Sequence, residues 1–110
     1  MKIPEFPITA IDWAKVPGVD YPGDTGKATW RTLEVGDLRV RMVEYSPGYR
    51  ADHWCPRGHV VLLIEGEMTT ELKDGRRFVS KPGMGYVASD DPDNPHRAET
   101  EIGCKLFIVD

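Results

Sequence analysis

The stretch GYRADHWCPRGHVVLLIEG, residues 48–66, decides the fold of this chain. In a β-strand the side chains point alternately to the two faces, so odd-numbered positions of 59–65 share one face and even-numbered positions the other. Both faces are rich in apolar residues. Such a strand belongs in the middle of a structure, or has its outer face covered by a partner subunit. We therefore expect a central β-strand at 59–65 and a homodimer.

Short runs with strand character lie on both sides of this strand. Turn signals separate them, among them Gly36-Asp37, Asp74-Gly75 and Pro82-Gly83, and no segment has the 3.6-residue period of a long helix. Seven or more short strands joined by tight turns predict an all-β sandwich or antiparallel barrel, which hides its sheet edges. The predicted strands cover residues 29–35, 38–46, 59–65, 68–73, 76–80, 85–89 and 104–109.

The length of the chain predicts one domain. With 110 residues there is enough chain for one hydrophobic core, whereas two cores would each lack buried surface. Residues 1–28 are rich in proline and glycine and carry apolar anchors, so we expect an N-terminal arm that packs on a barrel formed by residues 29–110.

Composition and charge exclude several classes of function. The chain is 40% hydrophobic and 29% charged, as in globular proteins. Its net charge of −4 and its scattered basic residues argue against nucleic acid as a partner. It has neither the apolar run of a signal peptide nor the roughly 20 apolar residues of a membrane span, so we expect a cytoplasmic protein with no membrane partner. In that compartment Cys55 and Cys104 should remain free thiols.

Three good metal ligands, His53, Cys55 and His59, fall within seven positions. If residues 51–55 are extended, His53 and Cys55 project from the same face, and the turn at 56–58 lets His59 begin the next strand beside them. Asp52 would then lie on the opposite face from His53, which argues against a contact between the two.

The remaining histidine, His96, follows a turn-rich loop and could complete the site from a strand across the barrel. Imidazole and thiolate favour zinc or iron, with copper or nickel also possible, over magnesium or calcium. If Cys55 coordinates, four ligands could close a structural zinc site; if it does not, three histidines leave a position for water or substrate. An empty polar pocket is the main alternative. The predicted metal ligands are His53, Cys55, His59 and His96.

Two segments resemble the conserved motifs of the cupins. Residues 48–66 resemble the first cupin motif, and residues 82–96, with a Pro-Gly turn before a proline-flanked histidine, resemble the second. The order Asp-His-Trp-Cys at 52–55 is most similar to small single-domain bacterial cupins labelled by a DHCW motif. The resemblance implies a jelly-roll barrel with a metal site at its mouth. By position, His53 and His96 match metal-binding histidines of the family, while Cys55 stands at a histidine position and His59 at a glutamate position.

The resemblance leaves three functions open, because cupins include enzymes, binding modules and storage proteins. The first is a metal-dependent enzyme that acts on a small polar molecule. The second is a non-catalytic module that binds or senses a small-molecule ligand or a metal. The third is a structural role with a closed zinc site, in which metal binding contributes to folding.

Overall fold

The computed structural model describes residues 3–110, which form nine β-strands and one short 3₁₀ helix. All strand pairs are antiparallel. The strands are β1 (Val19–Pro22), β2 (Lys27–Val35), β3 (Leu38–Tyr45), β4 (His59–Gly66), β5 (Met68–Leu72), β6 (Arg77–Ser80), β7 (Gly85–Ala88), β8 (His96–Glu99) and β9 (Cys104–Val109), and the 3₁₀ helix spans Trp13–Lys15.

The strands form two sheets around one core. The larger sheet has the order β1-β2-β3-β9-β4-β7, and the smaller has the order β6-β5-β8. Both sheets contribute to the main apolar cluster, the larger through β3, β4 and β9 and the smaller through Met68 and Ala98. The all-β antiparallel prediction is therefore confirmed. The buried members of the cluster are Val43, Val61, Leu63, Met68, Cys104, Leu106 and Ile108.

Strand β4 has the alternation that the sequence predicts. The odd-numbered residues 59, 61 and 63 are buried, whereas Val60, Leu62 and Ile64 are about two-fifths exposed at 42%, 46% and 38%. Because β9 and β7 pair with its two edges, β4 lies inside the larger sheet. Its inner face thus belongs to the core, and its outer face presents an apolar surface in the single chain.

All seven predicted strands are present; of the two strands outside those ranges, β8 carries His96 and β1 lies nearer the N-terminus. Its residues lie among prolines and glycines that read as turns, yet Val19–Pro22 pairs with the first half of β2. This strand lies within residues 1–28 and joins part of the predicted arm to the larger sheet. Further towards the N-terminus, Trp13 packs edge-on against Phe107 at 6.3 Å, whereas Ile8 is fully exposed.

Glycine allows two strands to approach closely at Gly85 on β7. A Cβ atom at this position would lie 1.8 Å from the main-chain oxygen of Val61 on β4. By contrast, a Cβ at Gly75, in the turn between β5 and β6, would meet nothing within 4 Å, although the φ angle there is +97°. The β4–β7 pairing therefore depends on a residue without a side chain.

Both cysteines are free thiols, and Cys104 is buried in the core. Over residues 3–110, no helix has the length and apolar character that crossing a membrane requires.

Candidate metal centre

The fold brings three of the four predicted ligands together: Cys55, His59 and His96. Their ligand atoms all lie within 4.8 Å of one another. Cys55 lies just before β4 and pairs with His96 of β8, because the amide nitrogen of each donates to the carbonyl oxygen of the other, at 2.7 and 3.0 Å. His59 begins β4 and places its Nε2 atom 3.4 Å from the Cys55 Sγ atom. The larger sheet thus supplies one histidine and the smaller sheet the other.

Asp110 orients the His59 ring. The Nδ1 atom of His59 lies 2.6 Å from the Asp110 Oδ2 atom, so a proton on Nδ1 leaves the lone pair of Nε2 directed to the Cys55 side. Burial lowers the pKa of His59 to about 4, although the charge of Asp110 opposes this effect. The ring is therefore neutral at physiological pH, as a metal ligand must be. A carboxylate that holds the second nitrogen of a ligating histidine is a common supporting contact in metal sites.

His96 has a buried nitrogen that the described part of the chain leaves unsatisfied. Among residues 3–110, no hydrogen-bond partner reaches its Nε2 atom. Burial also lowers the pKa of His96, so this ring too is neutral. A buried, unpaired nitrogen costs on the order of 1–3 kcal/mol, so an ion or ligand that reaches this atom would remove that cost.

His53 lies outside this cluster. Its side chain is 70% exposed, and its Nδ1 atom lies 2.7 Å from the Asp52 Oδ1 atom. The expectation that Asp52 and His53 do not meet is wrong, because residues 52–53 form a bend and the alternation of an extended strand does not apply there. The hydrogen bond to His53 holds the pKa of Asp52 below its usual value. His53 nevertheless borders the same cavity as the three clustered donors.

The donor set fits a transition metal. Two neutral imidazoles and one thiolate suit zinc, iron, copper or nickel, whereas the oxygen ligands preferred by magnesium and calcium do not occur in the cluster found within residues 3–110. Three protein ligands leave a coordination position for water or substrate, as in catalytic zinc sites.

A cavity of about 360 Å³ adjoins the three donors and has aromatic and basic walls. All four tyrosines of the chain and Trp30 line it. The basic side chains are Arg39, Arg41 and Arg97. The volume lies within the range of about 300–1,000 Å³ that is typical of small-molecule sites.

Asp110 and its ion pairs with Arg39 and Arg41 were not predicted from the sequence. Asp110 accepts hydrogen bonds from the Nε atom of Arg39 at 2.8 Å and the Nη2 atom of Arg41 at 2.9 Å, besides its contact with His59. Strand parity alone does not reveal which residues of β3 and β9 face the barrel interior. The available signal was a pair of arginines on β3 with an aspartate at the end of β9, but only the strand register shows that these two strands are neighbours.

Comparisons with known proteins identify the fold. No protein-family model matches the chain, and no curated protein matches it. It is similar to the solved structure of the polyketide cyclase RemF from Streptomyces resistomycificus, with a TM-score of 0.75 and 24% identity over 93% of this chain and 78% of that one.

Two further solved structures are similar. A sugar phosphate isomerase of the cupin superfamily from Silicibacter pomeroyi has a TM-score of 0.71 and 18% identity over 92% of this chain and 74% of that one. The iron(II) form of HppE in complex with substrate has a TM-score of 0.75 and 13% identity over 94% and 60%. These likenesses, together with the two antiparallel sheets around one core, show that the chain has the cupin jelly-roll fold.

Proposed function

We propose that the chain is a metal-dependent enzyme in which Cys55, His59 and His96 hold one transition-metal ion beside a cavity for a small polar molecule. The observation that carries this proposal is the convergence of three donors within 4.8 Å, with the buried Nε2 atom of His96 unpartnered among the described residues. Zinc and iron are the first candidates for the ion. The iron(II) named for HppE, a protein of the same fold, supports iron.

The side chains around the cavity have complementary tasks in this proposal. Bound metal would supply a Lewis acid that polarises an oxygen of the substrate. Asp110 fixes the tautomer and direction of His59. Asp52 orients His53 at the edge of the cavity, where the imidazole can accept or donate a proton.

A structural zinc site is the weaker alternative. A closed tetrahedral site needs four protein donors, and the cluster formed by the described residues has three. His53 would have to leave Asp52 to become the fourth.

A relation to the small bacterial cupins with a DHCW motif is a further proposal, which rests on the order Asp-His-Trp-Cys at residues 52–55.

Elemental analysis of protein purified without chelators tests the proposed function. We expect near-stoichiometric metal in the wild type, loss of the metal in His96→Ala and retention in His53→Ala, since His53 lies outside the donor cluster. The two variants are matched, because each removes one imidazole. Loss of metal in both variants would add His53 as a ligand and favour a closed site. Absence of metal from the wild type, even after incubation with zinc and iron(II), would overturn the proposal.

A further inference from the structure

The aromatic wall of the cavity offers flat surfaces to a ligand. Tyr45 and Tyr49 stack with their ring centroids 4.2 Å apart and 11° between their planes, and Tyr21 packs on Trp30 at 4.5 Å. Tyr86 lies beside His96 at 5.9 Å, next to the donor cluster. Aromatic side chains gather around planar ligands because offset and edge-on ring contacts stabilise such pairs beyond simple apolar burial.

The basic wall carries more positive than negative charge. The guanidinium groups of Arg39 and Arg41 share one carboxylate, that of Asp110. Arg41 is only 3% exposed, and among residues 3–110 its Nε atom has no hydrogen-bond partner. Its guanidinium carbon lies 4.3 Å from the centroid of the Trp30 ring. A buried cation with incomplete pairing is costly, and an anionic ligand would reduce that cost.

The other charged groups that border the cavity have hydrogen-bond partners within the protein. Arg97 donates to Glu71 at 3.0 Å and lies over the Trp54 ring at 4.2 Å. Asp52 is occupied by His53. The unbalanced charge therefore lies at Arg39 and Arg41, adjacent to Trp30.

The cavity volume limits the size of the ligand. A site of about 150 Å³ holds one benzene molecule. At about 360 Å³, the cavity has room for one ring with a polar substituent, together with water.

We propose that this cavity binds a small aromatic carboxylate, with its ring against the tyrosines and Trp30 and its carboxylate towards Arg39 and Arg41. The inference names the substrate class of the proposed enzyme and rests on that proposed function for the reaction. The wall residues that carry it are separate from the three metal donors, so binding can be tested on its own.

Isothermal titration calorimetry with three probes tests the ligand class on the wild-type protein. Benzoate has both the ring and the charge, benzamide lacks the charge, and cyclohexanecarboxylate lacks the aromatic ring. We expect benzoate to bind at least about tenfold more tightly than either analogue, since each analogue loses one of the two contacts. If cyclohexanecarboxylate binds as tightly as benzoate, the charge or the metal alone binds the ligand. If benzamide binds as tightly as benzoate, the arginines do not contribute to ligand binding. Either result, or no binding of benzoate, would overturn the inference.

The variant Arg39→Gln tests the position of the carboxylate. We expect it to weaken benzoate binding about tenfold and to leave benzamide binding unchanged, because only benzoate has a charge for Arg39 to contact. Arg76→Gln is the matched control, since Arg76 is exposed and does not line the cavity. Circular dichroism establishes that both variants are folded. An unchanged benzoate affinity in folded Arg39→Gln would contradict the proposed orientation.

Titrations before and after chelation, with the metal content measured on the same samples, separate the two proposals. Selective benzoate binding by protein that never takes up metal would support the aromatic-carboxylate inference and overturn the proposed function. If metal binding is lost in His96→Ala but the protein does not prefer benzoate to its two analogues, the proposed function would be supported and the aromatic-carboxylate inference overturned.

Discussion

At the scale of single residues, Asp110 connects the parts of the candidate site. One carboxylate, 1% exposed, accepts hydrogen bonds from Arg39 and Arg41 on β3 and contacts His59 on β4. Burial by itself would raise the pKa of Asp110, but the hydrogen bond from Arg39 and the charges of both arginines outweigh it and lower the pKa. Asp110 therefore remains ionised and supports both the metal donor and the basic wall.

Replacement of this carboxylate should destabilise the protein strongly. We expect Asp110→Asn to lower the free energy of unfolding of the metal-free protein by about 3 kcal/mol, because Arg41 then remains buried without a counter-charge. Asp20→Asn is the matched control: the Asp20–Lys27 pair is more than half exposed, so water screens it and its loss should cost much less than that of Asp110. Urea unfolding measures both changes. Similar losses in the two variants would contradict the assigned role of Asp110.

The burial of His59 predicts how stability depends on pH. The folded protein keeps His59 neutral down to its pKa of about 4, whereas the unfolded chain takes up a proton near pH 6.5. The metal-free protein should therefore lose stability as the pH falls from about 6.5 to about 4, by up to roughly 3 kcal/mol from this residue. The lowered pKa of His96 acts in the same direction.

Urea unfolding at several pH values between 7.5 and 4.5 measures this effect. His59→Gln is the comparison, since glutamine has no proton to gain over this range. The stability of the variant should fall less steeply with pH than that of the wild type. Parallel pH profiles would show that His59 does not contribute.

At the scale of strands and loops, much of the architecture could be predicted from the sequence. Turn signals and alternation located seven strands, because those patterns depend on neighbouring residues alone. Cys55, His59 and His96 were found through their spacing. The position of His53 could not be found in this way, because it depends on whether 52–53 extends or bends. The contact between Asp110 and Arg41 could be predicted only from the pairing of β3 with β9, which joins distant parts of the chain.

The close contact of β7 with β4 should make Gly85 sensitive to substitution. We expect Gly85→Ala to lower the free energy of unfolding by about 3 kcal/mol, because the new Cβ atom would clash with the main chain at Val61. Gly75→Ala introduces the same methyl group into open space and should cost only about 1 kcal/mol, from its positive φ angle. Thermal or urea unfolding distinguishes the two. Equal effects would show that β7 moves away from β4 at little cost.

At the scale of the whole molecule, we propose that a second copy of the chain covers the outer face of β4. Val60 lies opposite Val87, which is 81% exposed, and Leu62 lies opposite Phe107, so neighbouring strands extend the apolar surface. The same chain also presents an exposed apolar arm, with Ile8 fully exposed. Because one chain carries both surfaces, a homodimer could bury the arm of each copy against the sheet of the other.

Light scattering after size-exclusion chromatography tests this proposal. We expect a mass of two chains for the wild type and of one chain for Leu62→Glu, which places a charge in the apolar face. Val79→Glu is the matched control, because Val79 is exposed to a similar extent but lies on β6 of the smaller sheet. It should remain dimeric. A monomeric wild type at tens of micromolar, roughly the range of weak dimers, would contradict the dimer.

The division of the donors between the two sheets has a consequence for the life of the protein in a cell. His59 belongs to the larger sheet and His96 to the smaller. An ion bound by both would therefore hold the two sheets together. Opening of the barrel and release of the ion would then be one event. A cell short of the metal would hold a form that opens more often and is degraded sooner, because proteases cut the open state. The abundance of the protein would thereby follow the supply of its ion.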